Sequence, residues 1–198
     1  RVTLPADPDA SAALPAAVDL WKPVLVRAAV ALGFGAVTVF WAAPSTAGMG
    51  WAGGVYLLAT GVVLLWSANK AGLRAGSASS KVLSAAGAVL TGTGAAVGLM
   101  HGNLLFGALA AVGLGLAGAA ELYLGITNRG RSALARDWVA SGVVGVGTAA
   151  LLPFFIDLGP HALLGVAGGG AIISGVLWTL AGLTLRHDAR ADSAKAVN

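Results

Sequence analysis

Residues 104–127 read LLFGALAAVGLGLAGAAELYLGIT, an unbroken apolar run with a single charge, Glu121. A run of this length matches the ~20 residues that an α-helix needs to cross the hydrocarbon core of a bilayer. Five more runs share the pattern, at about 24–42, 51–69, 82–100, 138–156 and 162–185. In lipid the backbone must satisfy its own hydrogen bonds, and a helix does so within each segment. The expected fold is therefore all-α: a polytopic membrane protein with six transmembrane helices. They pair into hairpins at about 24–69, 82–127 and 138–185. Residues 1–22 are expected to form an N-terminal cytoplasmic segment with Trp21 and Lys22 as interface anchors. Residues 23–186 form the membrane domain, and 187–198 a charged cytoplasmic tail. Pro153 is expected to kink the end of the fifth span.

Composition leads to the same class. Apolar residues make up 57% of the 198, charged residues 10%, and mean hydropathy is +0.83. A soluble domain carries about a quarter charged residues, so this chain cannot cover a water-facing surface. Its thirty glycines would be costly in helices in water, but in membranes small residues let helices approach closely. The absence of cysteine excludes disulfides, thiolate metal sites and cysteine nucleophiles. The pI near 10 comes from basic residues at helix ends, where anionic headgroups lie, so it does not point to nucleic acid. The Ala, Gly and Val bias fits a bacterial genome.

The basic residues give a topology. Apart from Arg27 inside the first span, they lie in the N-terminal segment, the tail, or the second and fourth connections. The first, third and fifth connections hold none. Basic residues favour the cytoplasmic face, so both termini are expected in the cytoplasm and the location is the bacterial cytoplasmic membrane.

An internal repeat runs through this map. Gly35, Gly92 and Gly147 recur at spacings of 57 and 55, as do Trp66, Tyr123 and Trp178, and Arg74 and Arg131 with Arg186. The first and third hairpins also match at an offset of 112, pairing Gly33 with Gly145 and Leu65-Trp66 with Leu177-Trp178. All three hairpins enter from one side, so the repeat is parallel.

The segments Leu25-Val26-Arg27-Ala28-Ala29, Gly33-Phe34-Gly35 and Trp41-Ala42-Ala43-Pro44 carry a family resemblance. So do Gly53-Gly54-Val55-Tyr56 and Gly61-Val62-Val63-Leu64-Leu65. From about Trp21 to Arg186 the chain resembles the HdeD family of bacterial acid-resistance membrane proteins. Two departures stand out: the family's Arg-Gly pair is Arg27-Ala28, and Val139 aligns with Arg27 in the third hairpin. The resemblance implies six helices and a stress role, without a mechanism.

Arg27 and Glu121 are the charges that lie most clearly within spans, at similar depth near the cytoplasmic end. Intramembrane charges usually pair or face water. One reading is an ion pair or proton-binding site in the bundle interior. The other is an Arg snorkelling to headgroups and a Glu capped by Arg129 or Tyr123. His101, Asp157 and His161 fall at the outer face, where histidines can register external acid. The plainer alternative is that polar residues simply populate outer turns. Two histidines without a clear third ligand fall short of a metal or haem site, so no metal and no cofactor are expected. Gly50 with Gly54, Gly94 with Gly98, Gly98 with Gly102, and Gly165 with Gly169 mark close crossings, within the chain or toward another subunit. Gly168-Gly169-Gly170 lies inside an apolar helix and lacks the strand and Lys-Ser/Thr of a phosphate loop. Ser174 and His161 are about 20 Å apart along one helix, too far for a nucleophile and base.

The sequence thus points to a non-enzymatic membrane protein. One function is a structural or accessory role beside other membrane subunits, through self-association, or in envelope stress resistance. The alternative is passage of a proton or small solute near Arg27 and Glu121.

Overall fold

The computed structural model describes residues 20–70, 76–130, 132 and 134–197, with backbone alone for 192–197. Arg74 and Arg131 of the basic trio, and nearly all of the N-terminal segment, lie outside the described residues. The elements are α1 (Trp21–Phe40), α2 (Thr46–Lys70), α3 (Ala78–Met100), α4 (Asn103–Thr127), α5 (Ala135–Leu151) and α6 (Pro160–Val197). A 3₁₀ turn over Leu152–Leu158 separates the last two. There is no strand among the described residues, and six helices are long and apolar enough to cross a membrane. The protein is a multi-pass, all-α integral membrane protein.

Local chemistry sets the helix ends. Pro44, with its locked φ and no N–H, follows the end of α1. Ser45 then caps α2, its hydroxyl accepting from the Gly48 N–H at 3.0 Å. This cap starts α2 at Thr46, inside the stretch expected as a connection. Ser77 caps α3 in the same way through the Ser80 N–H. The fifth connection also differs from expectation. Gly159 alone turns the chain, at φ +89°, a conformation open to glycine without steric cost. Asp157 therefore belongs to the 3₁₀ turn and His161 to the first turn of α6. Pro153 sits in the 3₁₀ turn just past the end of α5.

The three hairpins form a closed ring. Helices α2, α4 and α6 meet one another at the centre. Helices α1, α3 and α5 stand outside, and among the described residues they do not touch one another. Each outer helix packs most extensively on the second helix of the preceding hairpin: α3 on α2, α5 on α4, and α1 on α6. The last pair closes the ring. Glycine makes these interfaces. A Cβ on Gly61 would stand 2.7 Å from the Gly87 carbonyl, and one on Gly118 2.9 Å from the Gly142 carbonyl. A Cβ on Gly175 would strike Leu32. Without a hydrophobic drive between helices in lipid, such close backbone approach supplies the packing energy.

Gly61, Gly118 and Gly175 are 57 residues apart, and so are Leu64, Glu121 and Trp178, all fully buried. This geometric register corrects the sequence alignment. Trp178 is 2% exposed, but Trp66 is 38% and Tyr123 42% exposed, so that trio does not share a position. Likewise Gly35 is buried, whereas Gly92 and Gly147 are exposed and a Cβ on either would meet nothing. The buried equivalents of Gly35 are Gly94 and Ala149. The equivalents of Arg27 are Ala86 and Ser141, not Val139, which packs on Gly125. The slip arises because the α3–α4 hairpin turns at His101-Gly102 with two fewer residues than its neighbours.

Candidate functional site

Of the repeat-related positions Arg27, Leu64, Ala86, Glu121, Ser141 and Trp178, all but Arg27 are buried, and Arg27, Glu121, Ser141 and Trp178 line one cavity. Arg27 of α1 forms an ion pair with Glu121 of α4, with side chains 12% and 1% exposed. The guanidinium also lies over the Trp178 ring, 4.4 Å from its centroid. The indole N–H of Trp178 donates to Ser141 Oγ at 3.0 Å. The network thus draws on all three hairpins: Arg27 from the first, Glu121 from the second, Ser141 and Trp178 from the third.

Each link offsets a cost. An unpaired charge at this depth is expensive in lipid, and an ion pair with further electrostatic partners reduces that cost. The π face of Trp178 supplies attraction to the cation without needing a proton. Its own N–H would be a buried bare donor without Ser141. Arg27 therefore points inward rather than to headgroups, and Glu121 is held by Arg27 rather than by Arg129 or Tyr123.

A cavity of about 30 Å³ adjoins the pair. Tyr56, Thr60, Ser141 and Ser174 join Arg27 and Glu121 in lining it. Phe34 stacks on Tyr56, with centroids 4.2 Å apart and planes within 5°. That stack also borders a larger apolar groove between α1 and α2 of about 480 Å³, flanked by Trp51 and Val55. Tyr56 is thus a wall shared by the polar cavity and the groove.

The remaining candidates are apart from this site. His101 ends α3 with φ +41°, its ring against Gly50 and 5.8 Å from Trp51. Its Nε2 is buried without a hydrogen bond. Asp157 and His161 are exposed. Among the described residues, no hydrogen bond or ion pair joins His101, Asp157 and His161. No group of three potential metal ligands occurs among the described residues. At the end carrying the termini, Arg186 lies over the Trp21 ring at 5.4 Å, tying α6 to α1.

Sequence reasoning missed Trp178, Ser141, Thr60 and Tyr56 as parts of the site. The available signal was the 57-residue spacing of Leu64, Glu121 and Trp178. No family model, no curated protein and no solved structure matches this chain.

Proposed function

We propose that this is an HdeD-like, non-enzymatic protein of the bacterial cytoplasmic membrane with cytoplasmic termini. Its role is structural or accessory, in a membrane complex or in envelope resistance to acid. One observation carries this reading: the interior charges are spent on one another, and with Trp178 and Ser141 they tie the three hairpins together. The cavity beside them is about 30 Å³, space on the scale of water. The segments quoted around Arg27 and Pro44 support the family assignment. Extraction in mild detergent, followed by native gel and mass spectrometry, tests the accessory role. A stoichiometric partner supports it, and a lone chain with normal acid survival in a deletion strain contradicts it. Loss of acid survival in the double variant H101A/H161A would assign acid sensing to those residues, and full survival would remove it.

The polar lining of the cavity favours one second reading, passage of a proton near Arg27 and Glu121. Proteoliposomes carrying a pH dye read it directly. Proton flux that disappears in Glu121→Gln supports passage, and flux equal to that of empty vesicles excludes it.

A further inference from the structure

Two buried oxygens on the wall of the central cavity, Glu121 Oε1 and Thr60 Oγ1, are left short of well-formed hydrogen bonds. Glu121 Oε1 has no hydrogen bond besides its charge contact with Arg27, and Thr60 Oγ1 has only the Tyr56 hydroxyl beside it, outside good hydrogen-bond geometry. Both residues are more than nine-tenths buried. Thr60 departs from the habit of this bundle. The hydroxyls of Thr38, Thr91, Thr93, Thr148 and Thr179 all donate back to carbonyls of their own helices. Ser174, the repeat equivalent of Thr60 in the third hairpin, lines the same cavity.

We infer that this cavity is an internal hydration site, in which one or two water molecules bridge Thr60 Oγ1 and Glu121 Oε1. The volume of about 30 Å³ exceeds the roughly 10–15 Å³ that one water needs. The lining supplies the two to four polar partners that buried waters use: a carboxylate acceptor and the hydroxyls of Thr60, Ser174 and Tyr56. A cation does not fit, because the Arg27 guanidinium already neutralises Glu121, the only carboxylate among the described lining residues. An organic ligand does not fit the volume. Bound water gives Glu121 Oε1 a further partner beside Arg27 and gives Thr60 Oγ1 one in good geometry. The inference rests on the site geometry and not on the proposed cellular role.

The test is a water-resolving experimental structure of the protein in lipid nanodiscs. The expected result is a density peak within hydrogen-bond distance of both oxygens, lost in Thr60→Val and kept in Thr60→Ser. A cavity without density, a cavity filled by a displaced Arg27, or a peak unchanged in Thr60→Val overturns the inference. Thermal unfolding gives a second readout. Thr60→Val should lower the melting temperature, and Thr60→Ser should restore it. An unchanged or raised melting temperature in Thr60→Val overturns the inference, because removing a hydroxyl that holds a buried water leaves that water short of a partner.

Discussion

The Arg27 guanidinium sits on the face of Trp178, 151 residues later in the chain, 4.4 Å from the ring centroid. The contact crosses the α1–α6 interface that closes the ring. Trp178 fixes the cation on one side and Ser141 on the other, so the indole couples the first and third hairpins through one side chain.

Replacing that indole should therefore cost more than replacing its sequence counterparts. Trp178→Phe loses the bond to Ser141, worth about 1 kcal/mol, and weakens a cation–π contact of roughly 1–2 kcal/mol. Trp66→Phe and Tyr123→Phe, at exposed positions, should fall within about 0.5 kcal/mol of wild type. Thermal unfolding in one detergent compares the three. Equal losses at all three positions would contradict the inward placement of Trp178.

Glycine positions should divide by register. Gly118→Ala drives a methyl into the α5 backbone and should cost about 1–3 kcal/mol by overpacking. Gly92→Ala and Gly147→Ala meet open space and should be neutral or slightly stabilising, since alanine is the better helix former. Stabilities measured side by side decide between the geometric register and the one read from sequence.

Much of the architecture was legible because lipid leaves the backbone few choices. Each apolar run of about 20 residues became a helix, and Arg27 and Glu121 stood out as charges within those runs. The register was not legible. Glycine is too abundant to align by, and the short turn at His101-Gly102 shifts the second hairpin by two residues. Two residues rotate a helix position by about 200°, which turns an inward side chain outward. Matches at an offset of 112 between the first and third hairpins placed Val139 opposite Arg27 and Trp178 opposite Trp66, whereas the buried register pairs Ser141 with Arg27 and Trp178 with Leu64 at 114. Helix caps were missed for a local reason: Ser45 sits beside Pro44 in a stretch that reads as a turn, yet its hydroxyl starts α2 one residue later.

The orientation proposed from the basic residues can be read without background, because the chain has no cysteine. Ala43→Cys, in the α1–α2 connection, should react with a membrane-impermeant thiol reagent added to whole cells. Ala78→Cys, at the start of α3, should react only after the membrane is opened. The reverse pattern would place the termini outside the cytoplasm.

The central claim is that Arg27 and Glu121 act as one unit in the bundle interior, and a double-mutant cycle measures it most directly. Arg27→Met and Glu121→Gln each leave a buried partner exposed to lipid-like surroundings, at a cost of about 3–5 kcal/mol. The double variant should recover much of that loss, with a coupling energy of roughly 1–3 kcal/mol in thermal or denaturant unfolding. Strictly additive losses, with coupling within about 0.5 kcal/mol of zero, would contradict the ion pair as the tie between the first and second hairpins.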